Sequence, residues 1–179
     1  EPIKDLSDSV LGVIGFGELG QATAQLARGL GMSVVYTARS DKESAFAQYL
    51  TLEDLLKKSD VISVHCDLND STANLISTAQ FNLMRAHAIV INTARGGIVD
   101  EDAAVRAIES GLIGGLGIDV LAQEPPIAGH PLIELAKRPN VIVTPHIAWA
   151  SDAAMQRLAD ILVDNIECHL RGKAQNLVN

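Results

Sequence analysis

Three short polar segments carry the side chains best suited to chemistry: Asn92-Thr93-Ala94-Arg95-Gly96-Gly97, Asp119-Val120-Leu121-Ala122-Gln123-Glu124-Pro125-Pro126 and Thr144-Pro145-His146-Ile147-Ala148-Trp149-Ala150-Ser151. Each follows an apolar run of strand length. Taken singly, each reactive residue also fits an ordinary structural role: Arg95 in a surface turn, Glu124 in a loop, His146 bonded to backbone. Together, a cation, a carboxylate and an imidazole suit the reduction of a 2-keto acid by hydride. Arg95 would grip the substrate carboxylate and carbonyl oxygen, fixing and polarising the keto carbon. Protonated His146 would deliver a proton to the developing alkoxide. Glu124, on the other ring nitrogen, would favour the imidazolium and hold its orientation. In the oxidative direction the roles reverse, with neutral His146 as base.

These residues need a scaffold that brings three distant segments to one place. Apolar runs at Val10 to Ile14, Ser33 to Thr37, Val61 to His65, Ile89 to Asn92, Leu116 to Asp119 and Val141 to Thr144 read as strands. Helix-period segments lie between them. Leu19 to Leu30 shows apolar positions at Leu19, Ala22, Leu26 and Leu30, and Thr51 to Lys58 opens on a Thr cap with acids in its first turn. Asp100 to Ser110 starts with stacked acids and stops before Gly111, while Ala153 to Arg171 follows the cap Ser151-Asp152. Ala122 to Pro139 holds four of the six prolines and reads as a loop with a short helix near Leu132 to Ala136. The alternation predicts an α/β fold, a Rossmann-type doubly wound parallel sheet in three αβα layers. In such a sheet, ligands bind outside the carboxyl ends of the strands, where all three polar segments fall.

The first strand runs into Gly15-Phe16-Gly17-Glu18-Leu19-Gly20, a G-x-G-x-x-G turn that opens a helix. Gly15 would allow the tight turn, Gly17 the close approach of a ligand, and Gly20 close packing of helix on strand. The helix N-terminus then faces a phosphate. The second strand ends in Tyr36-Thr37-Ala38-Arg39-Ser40, without the acid that would accept a ribose 2′-hydroxyl. Arg39 and Ser40 suit a 2′-phosphate instead, so NADP(H) is expected ahead of NAD(H). The alternative is a solvated turn at Arg39 and Ser40, with Asp41 taking the ribose. Among the other histidines, His65 ends the third strand and is a candidate to line the cofactor cleft, whereas His87, His130 and His169 read as surface or helix residues.

Composition narrows the partners. Lys plus Arg number 14 against 22 Asp plus Glu, a net charge of −8, and no basic block is present to follow a nucleic-acid backbone or an anionic membrane. Cys66 and Cys168 stand far apart in no metal-ligand spacing, as expected of reduced thiols in a cytoplasmic protein. No apolar run approaches the ~20 residues of a membrane helix.

Gly15 to Gly20, His65-Cys66-Asp67-Leu68 with Thr72, Asn92 to Gly96, Gly115 to Asp119, Glu124-Pro125-Pro126 and Thr144-Pro145-His146 together resemble the D-isomer-specific 2-hydroxyacid dehydrogenases. The likeness covers nearly the whole chain. Within that family, Val120-Leu121, His130-Pro131-Leu132 and His146 to Ser151 are similar to glycerate dehydrogenases, also called hydroxypyruvate reductases. Tyr36 to Ser40 is similar to the NADP-dependent glyoxylate/hydroxypyruvate reductases among them. The resemblance implies a catalytic set of Arg95, Glu124 and His146. It implies cofactor contacts from Gly15, Gly17, Glu18, Leu19, Gly20, Ala38, Arg39, Ser40, His65, Cys66, Thr72, Thr93, Ala94, Arg95, Asp119 and His146, with Asp119 at the nicotinamide carboxamide. Trp149 is placed near the substrate or a dimer contact, and a homodimer through the cofactor domain is implied, with a short 2-keto or 2-hydroxy acid as substrate.

Two departures qualify the match. Asp67 stands where the family usually has proline, which would loosen the adenine pocket. The resemblance implies a substrate domain whose N-terminal part would be missing here, so residues 1–150 are expected to be the dinucleotide-binding domain and 151–179 a crossover helix and tail. Such a piece would bind cofactor without turnover. On that helix Met155, Leu158, Ala159, Leu162, Val163 and Ile166 would be exposed or covered by a partner. A nucleotide-sensing corepressor of the same fold remains the alternative to an enzyme.

Overall fold

Short β-branched runs and intervening amphipathic segments close into a single parallel sheet in the computed structural model, which describes residues 5–177. After a 3-10 turn at Leu6–Asp8 come β1 (Val10–Ile14), α1 (Glu18–Gly29), β2 (Ser33–Thr37), β3 (Gln48–Tyr49), α2 (Leu52–Lys58) and β4 (Val61–Val64). There follow α3 (Thr78–Phe81), β5 (Ile89–Asn92), α4 (Glu101–Glu109), β6 (Gly115–Ile118), α5 (Pro131–Leu135), β7 (Val141–Val143) and α6 (Asp152–Leu170). The chain divides into two compact units between Pro145 and His146. The first holds the whole sheet and the second holds α6.

The seven strands run in the order β3-β2-β1-β4-β5-β6-β7. Every neighbouring pair is parallel, with Val10 opposite Ser33, Leu11 opposite Val61, Val61 opposite Ile89, Ile89 opposite Gly115 and Leu116 opposite Val141. From β1 the chain winds outward to β2 and β3, then returns to β4 on the other side. This reversal leaves a crevice between the carboxyl ends of β1 and β4.

The strands present alternate side chains to two cores. Ile14, Val35, Ile62, Val64, Val90, Leu116 and Ile118 join Leu55 and Leu56 of α2 and Ala104 and Ile108 of α4 in the larger one. Leu11, Val13, Val34 and Tyr36 meet Ala24 and Ala27 of α1 in the smaller. Helix starts are fixed by side-chain caps: Thr51 Oγ1 accepts from the Asp54 N–H, Asp100 Oδ1 from Ala103 and Ser151 Oγ from Ala154. At the far end of the sheet, Asp60 joins β1 to the segment before β5. Its carboxylate accepts from Val10 N at 2.8 Å and Arg85 Nη1 at 2.9 Å, and lies 2.6 Å from His87 Nε2. Burial alone would raise the Asp60 pKa, but the His87, Val10 and Arg85 hydrogen bonds outweigh it and hold the carboxyl below the usual range.

The structure corrects several expectations. The apolar stripe Leu19, Ala22, Leu26 and Leu30 does not face the core; Leu19, Leu26 and Leu30 are 75%, 73% and 61% exposed, and α1 buries Gly20, Ala24 and Ala27 instead. Only small residues permit the approach that α1 makes to β1. The strand β3 and the short helix α3 were not expected; Gln48–Tyr49 is a polar edge pair without alternation, and α3 spans barely one turn. His130 is not a surface residue: its side chain is 11% exposed and its Nε2 lies 3.2 Å from Glu101 Oε2. His87 is exposed, as a surface residue should be, and pairs with Asp60. No residue of α6 is buried, and Met155, Leu158, Leu162, Val163 and Ile166 are exposed on it. Among the described residues no helix is long and apolar enough to cross a membrane.

Candidate functional site

A cleft of about 810 Å³ opens at the β1/β4 reversal. The glycine turn forms one wall, and each glycine does a different job there. Gly15 sits at φ +93°, and a Cβ on it would fall 2.6 Å from the Cys66 nitrogen, so only glycine allows the turn to press on the segment after β4. At Gly17 the position of a Cβ is open space. At Gly20 it would lie 2.1 Å from the Gly15 carbonyl oxygen, which locks α1 against the turn. Gly17, Glu18 and Leu19 line the cleft while Gly20 is buried beneath it. The N-terminus of the twelve-residue α1, with no side chain capping it, therefore borders the cleft as an anion-binding end.

The end of β2 supplies a second wall. Ala38, Arg39, Ser40 and Lys42 line the cleft. Lys42 was not anticipated from the sequence, although a second cation three positions after Arg39 was there to be read. Its Nζ donates to the Phe16 carbonyl at 3.1 Å, which ties this turn to the glycine turn. Asp41, the alternative ribose ligand, accepts instead from the Tyr36 hydroxyl at 2.6 Å.

The segment after β4 closes the third side. His65 and Cys66 line the cleft, as does Thr72. His65 Nε2 lies 2.8 Å from Ser63 Oγ, and burial holds its pKa below the ordinary histidine value. Burial pushes the Cys66 thiol up, leaving it protonated. Thr72 Oγ1 donates to the Asp67 carbonyl at 2.6 Å and accepts from Asn69 N at 2.8 Å, so this hydroxyl braces the loop after Cys66.

Thr93, Ala94, Arg95 and Asp119 stand on the same edge of the sheet, after β5 and β6, but outside the residues that line this cleft. Buried Asn92 shapes the first of these loops, accepting from Ala94 N at 3.0 Å and donating to the Arg95 carbonyl at 2.9 Å. Gly96 presses it against the second: a Cβ there would lie 2.0 Å from the Leu121 carbonyl carbon. The loops bearing Arg95 and Glu124 are thus in direct contact. Glu124 Oε1 accepts from Leu121 N at 2.8 Å, and Asp119, buried, accepts from Thr144 Oγ1 at 2.6 Å. Glu101, at the start of α4, fixes the Glu124 loop from below. One of its oxygens accepts from Ala122 N at 2.7 Å and the other pairs with His130. No local pattern announced that role, since Glu101 looks like any first-turn acid. His146 opens the second unit at φ +56°, in the left-handed region, and its carbonyl accepts from Trp149 Nε1 at 3.1 Å.

Residues 1–148 match the family described as D-isomer specific 2-hydroxyacid dehydrogenase, NAD binding domain. The chain belongs to that family. Among D-2-hydroxyacid dehydrogenases and their relatives, it is 49% identical over 177 residues to the glycerate dehydrogenase of Methylorubrum extorquens, covering 99% of this chain and 55% of that protein. It is 39% identical to the glyoxylate reductase of Thermococcus litoralis, covering 97% of this chain and 53% of that one. The D-lactate dehydrogenase of Lactobacillus jensenii, solved with NAD+, superimposes with a TM-score of 0.92 at 30% identity over 98% of this chain and 57% of its own. The chain therefore spans about half the length of the relatives it matches. Its sheet is the Rossmann-like fold of the family's NAD-binding domain.

Proposed function

We propose that the protein containing this chain transfers hydride between NADP(H) and a short 2-keto acid, with hydroxypyruvate or glyoxylate reduced to the D-2-hydroxy acid. The observation that carries the reading is the contact between the Arg95 and Glu124 loops, set by Gly96 at the carboxyl edge of a sheet whose β1/β4 crevice has a glycine-turn wall. The names of the relatives, glycerate dehydrogenase and glyoxylate reductase, support the substrate class. They offer nothing to a corepressor.

The cleft fits a dinucleotide by the chemistry of its donors. Gly17 leaves room for a pyrophosphate beside the α1 N-terminus, and Arg39, Ser40 and Lys42 place two cations and a hydroxyl at the ribose end. A bound nicotinamide dinucleotide supplies hydride at its nicotinamide C4. Arg95 binds the substrate carboxylate and carbonyl oxygen, and its charge stabilises the oxygen as negative charge builds there. His146 gives that oxygen its proton, with Glu124 as the carboxylate of the set. We place the dinucleotide-binding domain at 1–150, assign 151–179 to the substrate domain, and expect a homodimer. Steady-state kinetics of the full-length protein with glyoxylate, hydroxypyruvate and bulkier 2-keto acids, against NADPH and NADH, test the reading. Turnover with none of them overturns it.

A further inference from the structure

The turn after β2 is folded around one buried hydroxyl. Tyr36 is fully buried, its ring stacked on Phe16 of the glycine turn with centroids 3.8 Å apart, and it meets Tyr49 edge-on at 5.6 Å. Its ring cannot move without disturbing both turns. The hydroxyl at its tip lies 2.6 Å from Asp41 Oδ1 and accepts the Lys42 N–H at 2.8 Å, and the Lys42 carbonyl oxygen is a second acceptor for its proton. Arg39, Ser40 and Lys42 line the cleft, and Asp41 does not. A carboxylate one residue from Ser40 and from Lys42 is thus turned toward Tyr36 and away from the cleft.

We propose that Tyr36 is a positioning residue for dinucleotide choice: its hydroxyl ties back the Asp41 carboxylate, so that the turn presents Arg39, Ser40 and Lys42 to a 2′-phosphate without an acid beside them. The inference rests on the NADP(H) reading above. Two effects follow from releasing Asp41, and both act in one direction. A free carboxylate repels the 2′-phosphate, and it offers an acceptor to the 2′-hydroxyl of NAD(H). Specificity here is as much the removal of a wrong group as the supply of right ones. Burial and the Asp41 bond raise the Tyr36 pKa, so the hydroxyl remains a donor throughout the working range.

The test is calorimetric titration of the chain with NADPH, NADH, adenosine 2′,5′-bisphosphate and adenosine 5′-monophosphate. The proteins are the parent, Tyr36→Phe, Asp41→Asn and the double variant. The parent is expected to prefer the 2′-phosphorylated member of each pair. Tyr36→Phe should narrow that preference by about fivefold or more, through weaker NADPH and stronger NADH binding, and adding Asp41→Asn should restore it. Asp41→Asn alone, which leaves the tyrosine in place, should keep the preference. An unchanged ratio in Tyr36→Phe overturns the proposal. So does an equal loss of both cofactors that Asp41→Asn does not rescue, which marks the hydroxyl as a brace for the loop. A parent with no 2′-phosphate preference overturns the cofactor reading itself, and the proposal with it.

Discussion

A Cβ on Gly20 would lie 2.1 Å from the carbonyl oxygen of Gly15, so the first turn of α1 rests directly on the glycine turn that borders the cleft. Gly20→Ala must push the helix off the turn. Overpacking of this kind costs roughly 1–3 kcal/mol, and here it also displaces the anion-binding end of α1. Urea denaturation should show the loss of stability, and dinucleotide titration a loss of affinity. Gly17→Ala separates the two effects, because its Cβ enters open space at φ −79°. It should leave stability within about 0.5 kcal/mol while weakening dinucleotide binding. Equal stability losses in the two variants would contradict this division.

Arg39→Ala should weaken NADPH binding about tenfold or more, the worth of a charge-assisted hydrogen bond to phosphate, and leave NADH nearly unchanged, whereas Lys42→Ala, which also cuts the tie to the Phe16 carbonyl, should weaken both and NADPH more. The proposed preference for NADPH should shrink as salt rises, because both cations line an open cleft. Binding constants at low and high salt check both points.

Asp60 links stability to acid. Its folded pKa is lowered, so its contribution is fully present above the unfolded value near 3.9 and is lost as pH falls through the folded value below that. Asp60→Asn should remove this acid dependence. At neutral pH it should cost roughly 1–3 kcal/mol, since Arg85 and His87 lose their charged partner. Denaturation midpoints of parent and variant between pH 7 and about pH 3 compare the two.

Glu101 holds the Glu124 loop through Ala122 N and His130. In the full-length protein Glu101→Ala should lower the proposed kcat about tenfold with little change in the dissociation constant for NADPH, because the cleft at β1 and β4 does not include this loop. Glu101→Gln, which keeps an acceptor for Ala122, should recover part of the rate. A loss of cofactor affinity that parallels kcat would mean general unfolding instead.

Removing the proposed acid, as His146→Asn, should lower kcat by about 10²–10⁴ in the full-length protein. Arg95→Ala should act chiefly on kcat/KM for the keto acid. Stopped-flow and steady-state rates distinguish these effects.

Much of the scaffold was legible from periodicity and punctuation. β1, β2 and β5 fall where the apolar runs place them, at Val10–Ile14, Ser33–Thr37 and Ile89–Asn92, because buried parallel strands need continuous apolar runs and little else. The G-x-G-x-x-G turn and the polar segments after the strands were equally open to reading, since a strand's carboxyl end follows from its bounds. Which face of α1 is buried was not. Hydropathy favours Leu19, Leu26 and Leu30, but backbone contact at Gly20 admits only the small side chains of Ala24 and Ala27 on that side, and distance of approach leaves no mark on a hydrophobic pattern. The bond from Tyr36 to Asp41 and the span from Glu101 to Ala122 were likewise hidden. Glu101 looked like any first-turn acid and Asp41 like an alternative ribose ligand, and only the fold brought the Glu124 loop to one and a buried hydroxyl to the other. Residue types and local spacing thus determined the elements and the class of chemistry, while the tertiary structure decided which polar groups are turned toward the cleft and which are tied away from it, because that choice is made by contacts between segments with no fixed separation along the chain.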